Sequence, residues 1–108
     1  MNLKNSVEPL PDSYSLLFDN LRPVRYKWNQ NTSDRYHTGL IAQELQQAIQ
    51  QSGLMEKEVG ALCTQYNSDG TEQMGIRYEE LISLCIKEIQ DLKKEVSILK
   101  TQIEQLQS

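Results

Sequence analysis

Toward the end of the chain, apolar residues return at alternating steps of four and three. Tyr78, Ile82, Cys85, Ile89, Leu92, Val96, Leu99, Ile103 and Leu106 all fit this rhythm. The spacing is that of a coiled-coil heptad. One helix over residues 78–108 would be about 46 Å long at its usual rise per residue. It could not keep so narrow a stripe dry alone, so the pattern predicts copies of the chain or a groove in a partner.

The preceding residues alternate between short patterns of different period. Residues 3–7 could form a brief strand in an extended lead-in punctuated by Pro9 and Pro11. Asp12 or Ser13 is placed to cap a short helix over residues 14–20, with Leu16, Leu17 and Leu21 on its inner side. Pro23 forces Arg22 into an extended conformation. Val24, Tyr26 and Trp28 then alternate with polar neighbours, predicting a half-buried strand. Residues 29–34 read as a polar loop and 36–41 as the returning strand of a hairpin, with Gly39 a point of close backbone approach or a bulge. A helix is expected over 42–51, burying Ile41, Leu45, Ala48 and Ile49 and stopping at Gly53. Residues 59–65 and 73–77 read as a second hairpin around the turn Asn67-Ser68-Asp69-Gly70. The expected fold is therefore α+β: a small head with hairpins and a central helix over 1–76, then a long C-terminal helix over 77–108.

Composition narrows the function more by exclusion than by indication. The 108 residues suffice for one domain, and a head of this size would bury a marginal core alone. A formal net charge of −4 with both signs interspersed offers no footprint for nucleic acid. No run is long and apolar enough to suggest a membrane span, and the polar start does not read as a signal peptide. Cys63 and Cys85 lack metal-site spacing. A disulfide is one reading, but Cys85 on the apolar stripe reads more simply as a buried free thiol. No metal and no cofactor are expected.

With Ile89, Val96 and Ile103 at heptad position a, and Leu92, Leu99 and Leu106 at d, Glu88 and Glu95 fall at g. Lys93 and Lys100 fall at e. The pairs Glu88 to Lys93 and Glu95 to Lys100 match in sign for a parallel arrangement. β-Branched residues at a with leucine at d favour two strands, whereas Ile86 at e and Ile98 at c widen the apolar surface. Those two residues could serve a larger assembly or pack on the head. The spacing by itself gives a parallel bundle of two or three chains.

Four segments carry a resemblance. LKNSVEPL at 3–10, LRPVRYKW at 21–28, GLIAQEL at 39–45 and RYEELISLCIKEIQDLKKEV at 77–96 resemble the peptidase S74 family. This is the C-terminal intramolecular chaperone domain of phage endosialidases, tail fibres, tailspikes and neck appendage proteins. The resemblance implies a homotrimer that registers three chains while an upstream stalk of the same protein folds in the host cytoplasm. It also implies autoproteolysis by a Ser-Lys dyad, after which the domain is absent from the mature virion. In that pattern Lys4 is the dyad lysine, able to act as general base when partly desolvated. The serine would lie two places before Met1, and Ser6 is on the wrong side of Lys4. The chain as it stands is expected to be inactive as a protease. A cellular oligomerisation module without cleavage is the competing reading.

The resemblance also singles out polar residues near the signature. His37 is the sole histidine and could contribute a structural or pH-sensitive contact near Lys4. Catalysis by it would need partners such as Ser33 and Asp34 brought together by folding. Glu44 suits a first helical turn and Gln43 should face solvent. Within the signature, one of them is expected to satisfy backbone groups or an arginine, with Arg77 or Arg25 as candidates, and Glu44 to be buried there. Trp28, Tyr26, Phe18 and Tyr14 are expected in the head's core. Tyr66 and Tyr78 would mark where head meets helix, or, if exposed, a surface that grips an unfolded stalk chain. Ile82, Cys85, Ile89, Leu92, Val96, Leu99, Ile103 and Leu106 form the expected interface.

Overall fold

The structure is a computed structural model, and it describes residues 3–29 and 34–107. Most of the expected polar loop, Ser33 included, lies outside the described residues. The elements run α1 (Ser13–Asp19), β1 (Val24–Tyr26), β2 (His37–Gly39), α2 (Ala42–Gln51), β3 (Leu62–Tyr66), β4 (Glu72–Ile76) and α3 (Ile82–Gln107). Short 3-10 turns at Glu56–Glu58 and Tyr78–Leu81 introduce the second hairpin and α3. The α+β architecture and the long terminal helix agree with the hydrophobic patterning.

The lead-in forms no strand among the described residues. Ser6 turns into the left-handed region with φ 55°, and Leu3 and Val7 are exposed.

The strongest local agreement is α2. Its end is a full Schellman closure: the Gly53 N–H donates to the Gln50 carbonyl and the Leu54 N–H to the Ile49 carbonyl, each at 3.2 Å. Gly53 supplies the positive φ of 77° that this closure requires. Leu54 then folds back into the core over Ile49.

Both hairpins form, as two separate two-stranded sheets. In the first, Val24 pairs with Gly39, Arg25 with Thr38 and Tyr26 with His37. In the second, Leu62 pairs with Ile76 at the open end and Tyr66 with Glu72 at the turn. The turn is closed by Asn67 and Thr71 backbone groups at 2.8 Å, and by Asp69, which accepts from the Thr71 N–H at 3.0 Å and hydroxyl at 2.6 Å. Those donors hold the Asp69 carboxyl below its usual range.

The core is aliphatic. Leu17 from α1, Leu45, Ala48 and Ile49 from α2, then Leu54, Val59, Ala61 and Leu84 form one buried cluster, with Tyr14, Leu21, Leu62, Ile76 and Leu81 packed at its edge. This corrects the expectation of an aromatic core. Trp28 is exposed and Phe18 lies on a groove wall, while Tyr26 remains on the hairpin with Trp28 edge-on at 5.3 Å. Of the three leucines expected inward from α1, Leu17 is buried, Leu21 is half-buried and Leu16 is exposed. A helix of two turns against a small core can bury only a narrow stripe. Tyr14 sits at that edge and its hydroxyl donates to the Glu58 carbonyl. Burial first, then the carboxylates of Glu58 and Glu8, push its pKa up.

Candidate assembly site

The face of α3 that meets the head is not the heptad stripe. Leu84 is buried in the core, and one turn on Lys87 reaches back to α1. Its ammonium donates to Ser15 Oγ at 3.0 Å and Asp91 at 2.7 Å, with Asp12 at 3.4 Å. The hydrogen bond to Asp91 is the main reason its pKa is raised. Leu84, Lys87 and Asp91 occupy c and f positions, so the head covers the back of the helix and leaves a and d outward.

The stripe is consequently bare. Ile82, Ile89, Leu92, Val96, Leu99 and Ile103 are each 52–59% exposed and Leu106 is 86% exposed. Cys85, on the same stripe, is a free thiol and is exposed in the single chain. Ile86 and Ile98 are exposed as well, so neither packs on the head. A row of half-exposed aliphatic side chains of this length exceeds the isolated apolar residues ordinary on a monomer's surface.

The entrance to α3 is fixed by a contact in the GLIAQEL segment. Tyr78 lies over Gly39, where an added Cβ would sit 2.5 Å from its hydroxyl oxygen and 3.2 Å from Cζ. The Leu40 N–H donates to that hydroxyl at 3.1 Å. The close approach expected at Gly39 is therefore real, and its cause is Tyr78. Tyr66, by contrast, points into solvent near the tip of the second hairpin.

Beside this contact, α1, the first hairpin and the start of α3 enclose an open groove of about 890 Å³. Phe18, Leu21, Pro23 and Leu40 form one wall, and Leu81, Ile82 and Cys85 the other. The apolar periodicities of the separate elements gave no signal of it, because it arises only where three of them meet.

Of the polar residues singled out by sequence, Glu44 finds an arginine, but neither Arg77 nor Arg25. Arg22 holds it in a bidentate pair, Nε to Oε1 at 2.8 Å and Nη2 to Oε2 at 2.6 Å. The pair lies at the surface, with the Arg22 side chain largely exposed, so the expected burial is not found. Hydrogen bonding to Arg22 lowers the Glu44 pKa and raises that of Arg22. Gln43 is exposed. Arg77 lies at the end of the second hairpin, its backbone N–H donating to Ala61 at 2.7 Å and Nη2 reaching Cys63 Sγ at 3.4 Å. Arg25 instead lies over the Tyr36 ring, 4.1 Å from its centroid. His37 stacks on Tyr26 at 5.9 Å, and Lys4 lies on the exposed lead-in. The structure thus separates these residues into local contacts instead of bringing them into one constellation. No cluster of metal-ligating side chains occurs among the described residues, and no helix among them is long and apolar enough to cross a membrane.

A family model described as the chaperone of endosialidase, Peptidase S74, matches residues 1–54. The chain belongs to this family. The matched half of this S74 domain carries the lead-in, α1, the first hairpin and α2, hence the groove wall of Phe18, Leu21, Pro23 and Leu40 and the Gly39 side of its contact with Tyr78. Among solved structures, the S74 domain is similar to one described as a novel intramolecular chaperone. The two are 18% identical, with a TM-score of 0.67, over 90% of this chain and 98% of the other. That likeness extends the shared fold across the second hairpin and α3. No curated protein matches the chain.

Proposed function

We propose that this S74 domain is an intramolecular chaperone that assembles as a parallel homotrimer through α3 and registers three chains while an upstream fibre, tailspike or appendage segment folds. The observation that carries this reading is the bare a/d stripe from Ile82 to Leu106, left outward because the head occupies the opposite face of the helix. The g and e charges, Glu88 with Lys93 and Glu95 with Lys100, favour parallel chains in register. Family membership and the fold likeness support the chaperone role; the number three, the virion context and assembly in the host cytoplasm come from the family resemblance.

Sedimentation equilibrium of the chain tests the assembly. A mass three times the 12.5 kDa of one chain is expected. A stable dimer would favour the two-stranded preference of β-branched a and leucine d positions, and a monomer would refute the reading. Self-cleavage is a separate part of the proposal. In a longer chain with a Ser-Asp pair two places before Met1, Lys4 would act as the dyad base. Mass spectrometry that finds only intact precursor with that pair in place would exclude it.

A further inference from the structure

The groove beside α3 lies on one flank of the heptad stripe, and that flank is not equivalent to the other. In the a/d frame, Leu81 falls at g, on the groove wall with Ile82 and Cys85. Ile86 falls at e, on the opposite flank, away from the head and exposed. In a parallel bundle, the g flank of one helix faces the e flank of the next, one rung being g with the e position five residues later. The rungs of this chain then read Leu81 with Ile86, Glu88 with Lys93, Glu95 with Lys100 and Gln102 with Gln107. One rung is apolar on both sides, and it falls at the level of the groove. The next rung contains Glu88, whose Oε1 is buried without a hydrogen-bond partner among the described residues.

We propose that the groove is the seat for Ile86 of a second copy of the chain, so that each head grips the neighbouring helix as well as its own. The proposal rests on the assembly reading above and adds a head-to-helix contact between copies. The incoming side chain lies between Leu81 and Ile82 on one wall and Phe18, Leu21 and Leu40 on the other. Because the apolar rung occurs once, a shift by one heptad would set Ile86 against Glu88 and place Lys93 in the groove or beyond it. Burying an unpaired ammonium against apolar walls is unfavourable, so the seat selects the register that the repeating a/d stripe leaves open.

The test uses the unmodified sequence in mixed assemblies, refolded from methyl-labelled and unlabelled chains, with the mass measured in parallel. Isotope-filtered NMR should show contacts from the Ile86 methyl groups to Leu21 or Leu40 of the unlabelled chains. Ile86→Ala should raise the dissociation constant of the assembly about tenfold, the scale of one partly buried aliphatic side chain. Ile98→Ala, equally apolar but at c, should change it less than about threefold, within the range of surface substitutions. An oligomer whose interchain contacts run only from α3 to α3, or in which both substitutions act equally, overturns the seat and leaves the assembly reading standing. A monomeric mass at every concentration overturns both.

Discussion

Replacing Gly39 with alanine tests how closely the first hairpin is pressed on the entrance to α3. The added Cβ would lie 2.5 Å from the Tyr78 hydroxyl oxygen and 3.2 Å from Cζ, so the ring must move. Moving it breaks the Leu40 N–H bond to the hydroxyl, worth about 1 kcal/mol, and disturbs packing by a further ~1–3 kcal/mol. Gly39 does not use a left-handed backbone, so alanine recovers about 0.4–1 kcal/mol by restricting the unfolded chain. The net expectation is a loss of about 2 kcal/mol. In a Tyr78→Phe background the nearest atom is gone and the hydrogen bond is already absent, so Gly39→Ala should be close to neutral. Urea unfolding followed by circular dichroism, with all four variants at one protomer concentration, gives the coupling energy directly. An equal cost of Gly39→Ala in both backgrounds would refute the contact as the cause.

Two further outcomes follow from the same packing. Leu84→Ala should lose about 2–4 kcal/mol in the same unfolding measurement, because Leu84 is the residue of α3 buried in the core, whereas Leu92→Ala should leave the head's own unfolding unchanged. The Glu44 carboxyl is held below its usual pKa by Arg22, so its contribution is present above the unfolded glutamate value and is lost as pH falls through the lower folded value. Arg22→Ala should flatten stability across that acidic window, and high salt should mimic it because the pair is exposed; an unchanged acid limb in low salt would refute the pairing.

What the sequence made legible depended on whether a signal was local. The boundaries of α2 follow from a 3.6-residue apolar period ended by Gly53, both readable in adjacent residues. The second hairpin likewise follows from its Asn-Ser-Asp-Gly turn. The Arg22–Glu44 pair was not readable, because it spans 22 positions and nothing local favoured Arg22 over the two candidates, Arg25 and Arg77. Its selection depends on the path Pro23 and the hairpin give the chain. The aromatic residues misled for a related reason. Large side chains suggest a core, yet in a head this small the inner space between α1, α2, the segment before β3 and the start of α3 is filled by leucine, isoleucine, valine and alanine, which leaves Trp28 and Phe18 outside. The outward direction of the a/d stripe was legible, whereas the groove beside it was not.

The division of α3 into an anchored and an unanchored part has a consequence for the order of events. Leu84, Lys87 and Asp91 tie its first turns to the head, but every residue from 92 to 107 is exposed. A helical stretch of about that length is only marginally stable by itself in water. Under the proposed assembly, its winding and its encounter with other chains are one event, and the distal heptads act as a clock that starts when copies meet. On that reading a lone chain can complete its head before the distal helix is committed. In the proposed assembly, the part of the apolar stripe beyond residue 92, exposed in the single chain, becomes protected only as further copies join.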